Sequence, residues 1–343
     1  MSLPRIALSW MALACLLCGV ASAPAADSTA LEQRELSLAV GGQGLFYYLP
    51  LTIAVRRGYF KEAGLEVEVV DFPGGAKSLQ ALVGGSADLA AGSFEHVVNM
   101  RARRQALVAF TLLARYPAIV LALEPTFAAH YRSPADLRGH RVGITAPGSS
   151  THMFLNNVLN KAGVALSEVP VIGVGTGASA VAAMRRGGID ALVHLDPVIH
   201  QLEASGDAKV VIDTRTAAGA TAVYGGAYHA ACLYAKEDFI ARHPNTVYAL
   251  VAAQVRALTW LAAASVDDIA DAVPEAYWGG DRAAYIAALA ANRAMWSPDG
   301  KLDLAGAQKV LDTLAAFEPA VKAAAVDVRP LIDNRFVERA SAP

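Results

Sequence analysis

Cysteine is almost absent. Of 343 residues only Cys15, Cys18 and Cys232 are cysteine. The first two fall in an apolar leader, so Cys232 stands alone in the body of the chain and no intramolecular disulfide is possible there. Its setting, HAACLYA, reads as a buried small hydrophobe rather than a nucleophile. Charge is scarce and balanced, with 29 basic against 31 acidic residues. That leaves no basic surplus for nucleic acid or an anionic membrane, so a bound anion must be met by local dipoles or a few residues. Past the leader, no uninterrupted apolar run approaches the roughly 18 residues a membrane span needs. With 55% hydrophobic residues, the chain is not a disordered one either.

The leader itself is informative. Met1 to Arg5 is short and basic, Ile6 to Ala26 carries no charge, and small residues follow at Ala21-Ser22-Ala23-Pro24-Ala25. This is the pattern of a signal peptide over residues 1–25, cleaved near Ala25, and it places the mature chain outside the cytoplasm. A retained anchor is the other reading, because the uncharged run is long enough to span.

Strand and helix signals alternate from Glu35 to Asp213. Strands are expected at Glu35–Val40, Leu65–Phe72, Asp88–Ala91, Leu107–Ala114, Ala118–Leu123, Arg141–Ala146, Val169–Val174, Ala191–Leu195 and Lys209–Asp213. Helices are expected between them: Pro50–Ala63 stopped by Gly64, Ala76–Val83 stopped by Gly84-Gly85, one opened by Ser93, one running to Ala162, then Ala178–Arg186 and Asp196–Ala204. This order predicts parallel βαβ units and an α/β fold, followed by a mostly helical, Ala-rich C-terminal third from Pro244. There is an internal echo. ALVGGSADLAAGS (Ala81 to Ser93) and AMRRGGIDALVHL (Ala183 to Leu195) both read helix, Gly-Gly, two residues, Asp, apolar strand. Two lobes of similar topology are expected from it.

The stretch PLTIAVRRGYFKEAGLEVEVV resembles the segment near the mature N-terminus of substrate-binding proteins of taurine, alkanesulfonate and nitrate importers, which are grouped with thiamine-pyrimidine-synthesis-like proteins. Gly58, Tyr59, Phe60, Gly64 and Leu65 carry the match. Further matches follow in order: Ala81-Leu82, Gly85, Asp88, the run Ser133 to Gly139, Arg141 to Ile144 with Gly148-Ser149, Gly188 to Ala191, Asp196-Pro197, and Asp333 to Phe336. The resemblance implies a type II periplasmic binding protein fold with parallel-rich sheets. Lobe I would comprise residues 31–124 plus 224–343, and lobe II 125–223. The crossings would fall near Ala118–Pro125 and Thr221–Ala231. It implies a monomeric, periplasmic, non-enzymatic receptor that hands a small solute to an inner-membrane ABC permease with its cytoplasmic ATPase. A small organic anion, sulfonate or taurine-like, is the first choice of cargo. A thiamine-precursor pyrimidine or other aromatic heterocycle is the second.

Ligands of open α/β sheets sit beyond the carboxyl ends of the strands. That rule selects Gly42, Gln43, Gly75, Ser93 and Phe94 on one side, and Ser149, Ser150, Thr151, Thr176 and Asp196 on the other. A helix opening at Ser150 or Thr151 would aim free N–H groups at an anion. Phe46, Tyr116 and Tyr224, with Tyr47 and Tyr48, offer aromatic walls.

Enzymatic readings are weaker. Gly173-Val174-Gly175-Thr176-Gly177-Ala178 is formally a dinucleotide fingerprint, with Asp196 about twenty residues on. It leaves an exported nucleotide-binding enzyme as the alternative of another class, against which export and the two-lobe pattern argue. The Gly74 to Ser78 run lacks P-loop spacing, and no G-x-S-x-G occurs. His194, Asp196 and His200 do not put two imidazoles on one helix face, so no metal is expected. Glu95-His96 alone points to no chemistry. One cysteine in the mature chain cannot supply the cysteine-rich iron motif of the pyrimidine synthases. No cofactor is expected.

Overall fold

The structure is a computed structural model describing residues 30–342, and the expected signal peptide lies outside these residues. Alternation of short strands and helices gives β1 (Glu35–Val40), α1 (Leu49–Arg56), α2 (Tyr59–Glu62), β2 (Glu66–Asp71), α3 (Gly75–Gly84), β3 (Leu89–Ser93), α4 (Phe94–Ala102) and β4 (Leu107–Leu112). The chain then builds β5 (Val120–Leu123), α5 (Pro125–Ala128), β6 (Val142–Ile144), α6 (Ser150–Lys161), β7 (Val171–Gly173), α7 (Ala178–Arg185), β8 (Ala191–His194), α8 (Val198–Ala204), β9 (Lys209–Asp213) and α9 (Ala217–Tyr224). It returns through β10 (Ala231–Lys236) into α10 (Glu237–Arg242), α11 (Pro244–Ala263), α12 (Val266–Ala272), α13 (Arg282–Asn292), α14 (Leu304–Ala315), α15 (Pro319–Ala324) and α16 (Arg335–Ala340).

Two five-stranded sheets result, ordered β2-β1-β3-β10-β4 and β7-β6-β8-β5-β9. They are the same design. In each, the fourth strand runs antiparallel to both its neighbours, while the first three are parallel. That fourth strand is the one by which the chain enters the lobe. β5 brings it into the second lobe and β10 brings it back.

This corrects one expected boundary. Val120–Leu123, assigned on sequence to lobe I, pairs with β8 and β9 in the second sheet. The first crossing therefore spans 113–119, upstream of the expected Ala118–Pro125, and the second spans 225–230. Hydropathy identified an apolar strand there but not the sheet it joins.

The internal echo has a structural meaning. Asp88 accepts a hydrogen bond from Ser37 N of β1 at 2.9 Å, and Asp190 one from Arg141 N beside β6 at 2.8 Å. In both lobes the aspartate after the Gly-Gly turn ties the start of its own strand to the parallel strand beside it. A second departure concerns the expected Pro50–Ala63 helix. Gly58 adopts φ +73, a left-handed conformation that stops α1 and turns the chain into α2.

The first lobe and the C-terminal helices share an extended core, in which α11 packs on α1, α2 and α16. A smaller apolar cluster under α7 and α8, including Val181, Leu192 and Ile199, supports the second lobe.

Candidate functional site

The carboxyl ends of the parallel strands of both sheets meet at one seam. The first lobe contributes the turn after β1 (Gly41 to Gln43), Gly74-Gly75 before α3, and Ser93 to His96 at the start of α4. The second contributes Ala146 to Ser149 before α6, Gly175 to Gly177 before α7, and Leu195 to Pro197 after β8.

The lobes are shut on one another. Ala76 N donates to Ser149 Oγ at 3.0 Å, Phe46 N to Asp196 O at 3.0 Å, and Asn292 Nδ2 to Asp196 Oδ2 at 2.5 Å. Glycine is required where they touch. A Cβ on Gly74 would lie 2.8 Å from the Ala146 Cβ, and one on Gly42 would lie 2.7 Å from the Thr176 Cβ. Both contacts run from one lobe to the other.

Two crossings link the lobes and are bonded side by side. Leu113 N and Ala114 N donate to Ala231 O, and Ala230 N donates to Ala114 O. On its other edge the first crossing is bonded to the segment at Trp296, through Arg115 N to Met295 O and Ser297 N to Leu113 O.

The residues selected on sequence fall into different places. Gly42, Gly75, Ser149 and Thr176 lie on the seam. Gln43 is held from the rim, its N–H donating to Asp71 Oδ1. Thr151 turns inward, its Oγ 2.8 Å from Thr145 Oγ and accepting Thr145 N–H. Ser150 is half-buried beside it and opens α6. Asp196 is committed to protein partners: it accepts from His200 N, Arg215 and Asn292. Phe46 packs edge-on against Tyr285 and Trp296, and Phe94 against His229, inside the first lobe. Tyr116 sits on the first crossing beneath the Arg115 guanidinium.

Tyr224 leads to the group that sequence reasoning did not assemble. It stacks on Tyr228 with centroids 3.8 Å apart, and Phe154 of α6 meets its edge. Tyr228 OH donates to Glu95 Oε1 at 2.5 Å, and Ser93 Oγ donates to Glu95 Oε2 at 2.8 Å. Ser93 also caps α4 by accepting Glu95 N–H. Tyr47 lies beside Ser93, and Tyr234 OH is 3.1 Å from His96 Nδ1. Glu95 and His96 are each only 2% exposed.

Burial decides their protonation. It lifts the Glu95 carboxyl to about 7, although the Tyr228 and Ser93 hydrogen bonds pull the other way. It lowers His96 to about 4, leaving a neutral imidazole. One polar atom of the cluster, Tyr224 OH, lacks a hydrogen-bond partner among the described residues, while His96 also meets the Gly148 backbone of the opposite lobe. The sequence signal for this cluster was available only in part. Glu95-His96 follows a strand end, but Tyr228 comes from a crossing 133 residues away.

Two cavities open on the seam, each lined from both lobes. One of about 910 Å³ is bordered by Gly42, Thr176, Arg186, His200, Tyr277 and Trp278. The other, about 520 Å³, is bordered by His96, Asn99, Met100, Gly148, His152 and Met153. Among the described residues, no group of three or more His, Cys, Asp or Glu is arranged to hold a metal ion. Cys232 is buried and its thiol is pushed upward by desolvation, which is a core position.

The family model described as NMT1/THI5 like matches residues 46–265. A solved structure from Bordetella bronchiseptica RB50 is 47% identical, with a TM-score of 0.89 over 91% of this chain and 98% of that one. The alkanesulfonate-binding protein SsuA from Xanthomonas axonopodis pv. citri, bound to MOPS, is 21% identical, with a TM-score of 0.68 over 89% and 100% of the two chains. The periplasmic nitrate-binding protein NrtA from Synechocystis PCC 6803 is 14% identical, with a TM-score of 0.70 over 91% and 89%. No curated protein matches this chain.

Proposed function

The chain belongs to the NMT1/THI5-like family, and from that premise we propose that it is an extracytoplasmic solute-binding protein that captures a small ligand by lobe closure and delivers it to an ABC permease. The observation that carries this reading is the seam. Two sheets of one design present their strand ends to each other, joined covalently only by the segments 113–119 and 225–230. Such a pair moves about its crossings, and a ligand touching both faces stabilises the shut state by its contacts there.

The cargo best supported is a small solute without net negative charge, a broader class that includes the aromatic heterocycle ranked second on sequence. Tyrosines and a buried carboxyl dominate the inner seam. Thr151, which was to meet an anion, is turned inward onto Thr145, whereas Ser149 Oγ accepts from Ala76 N and keeps its O–H to donate. A sulfonate or other organic anion is the second reading, favoured by the start of α6, whose N-cap Ser149 stands at the seam.

A thermal-shift series with sulfonates, nitrate, pyrimidines and amines, followed by small-angle scattering on any compound that stabilises, tests this. A stabilising compound that also contracts the particle, or leaves an already shut particle shut, is expected. Turnover of a bound compound, or a large shift with NAD alone, would overturn the receptor reading in favour of the nucleotide-binding alternative at Gly173 to Gly177.

A further inference from the structure

The tyrosine cluster at the seam has one carboxyl, Glu95, and no counter-charge for it among the described residues. Glu95 accepts from two hydroxyls, and among the described residues it forms no ion pair. Its neighbour His96 stays neutral. The guanidinium of Arg215, which reaches the seam at Asp196, is taken by Asp213, Glu203 and Asp196. Around Glu95 stand Tyr47 and Tyr48 from the turn after β1, and Tyr224 and Tyr228 from the end of α9 and the second crossing. Each of these four phenols is buried and its ionisation is pushed up, so none carries charge. The group is therefore a cluster of phenols packed around a single acid, with the buried Tyr224 OH unpartnered among the described residues.

We propose that Glu95 is the counter-charge for the cargo, and that the cleft takes a small organic cation, a ligand with a protonated or quaternary nitrogen. The inference rests on the solute-capture reading and deepens it. Aromatic rings attract cations through their faces, and a carboxylate removed from water gains most from a partner that brings the missing charge with it. The same charge balance disfavours a sulfonate or nitrate, which would set like charge beside an ionised Glu95. The Tyr224 hydroxyl lies near enough to feel that charge and stands ready as a further hydrogen-bond group.

The full-length mature protein and its Glu95→Gln variant are to be tested by thermal shift and calorimetry, each with three probe sets: primary and quaternary ammonium compounds, neutral heteroaromatics of matched size, and sulfonates. The glutamine amide keeps an oxygen acceptor for Tyr228 and turns its NH2 to donate to Ser93 Oγ, so the variant is expected to fold. Its far-ultraviolet dichroism checks this, and a Glu95→Asp variant, which keeps the charge, provides a second reading. Ammonium compounds are expected to stabilise the native protein and to bind more tightly at pH 8 than at pH 6, because Glu95 titrates between. The Glu95→Gln variant is expected to lose about tenfold or more in affinity and all of that pH dependence, with the Glu95→Asp variant retaining part of each. Stabilisation by sulfonates or neutral compounds alone, by no probe set, or equal ammonium affinity in the Glu95→Gln variant, overturns the proposal. Closure is judged separately by scattering on the unliganded protein and a seam variant, so failure of the cation reading and failure of the capture reading are distinguishable.

Discussion

Glu95 and His96 are neighbours in sequence, buried to the same depth, and burial acts on them with opposite sign. Glu95 titrates near 7 in the fold against an ordinary value of 4.5. Between those values the folded state holds a proton the unfolded chain has lost, so this residue makes stability fall as pH rises from 4.5 to 7. His96 titrates near 4 against an ordinary 6.5. Between those values the unfolded chain holds the extra proton, so His96 makes stability rise with pH. The two slopes overlap and oppose each other from 4.5 to 6.5. Glu95→Gln is expected to unmask the His96 slope. The stability difference between native protein and variant should shift against the native protein on going from pH 4.5 to 7.5, by on the order of 3 kcal/mol. Urea melts of both proteins across that range measure it, and a pH-independent difference would show that Glu95 is ionised in the fold.

Elements were legible where periodicity and glycine punctuation agree. β1 and β9 match their expected bounds, Ser93 caps α4 as its position suggested, and Gly85 and Gly163 end α3 and α6 in left-handed conformations. β10 was not assigned as a strand, because Ala231–Lys236 is an apolar run without turn signals of its own and gains its identity only from pairing with β3 and β4. The lobe of β5 was misplaced for the same reason: an antiparallel partner from elsewhere in the chain leaves no local pattern. The seam was legible as a set of turns, and the tyrosine cluster was not. Its members come from three segments that only the closed topology brings together.

α11 shows how an element can carry a flaw its pattern conceals. Among the described residues it is the one helix long and apolar enough to cross a membrane, yet it packs on α1 and α16 as core. Gln254 in its middle is fully buried, and neither its Oε1 nor its Nε2 has a hydrogen-bond partner among the described residues. Desolvating an amide without return costs stability. Gln254→Met, close in volume and without the amide, is expected to raise unfolding stability by about 1–3 kcal/mol. A denaturant midpoint that falls would mean the amide is satisfied in solution.

At the scale of the molecule, the shut state rests on few direct bonds. Those donated by Ala76 N, Phe46 N and Asn292 Nδ2 cross the seam. Each contributes about 0.5–1.5 kcal/mol net, with more where Asp196 carries charge. The balance between open and shut is therefore small enough for one methyl group to reverse. Gly74→Ala places that methyl 2.8 Å from the Ala146 Cβ and 3.1 Å from Ser149 Oγ, both on the opposite lobe. Parting the lobes relieves the steric clash, while the φ of +157 at Gly74 strains an alanine in either state, so a modest fall in melting temperature should accompany opening. The unliganded particle should expand in small-angle scattering. Affinity for any cargo that stabilises the native protein should fall in proportion to the lost shut population, about tenfold or more if the lobes rest open. A variant with native scattering and native affinity would mean that the turn at Gly74 yields instead of the lobes, and closure at this seam would have to be abandoned.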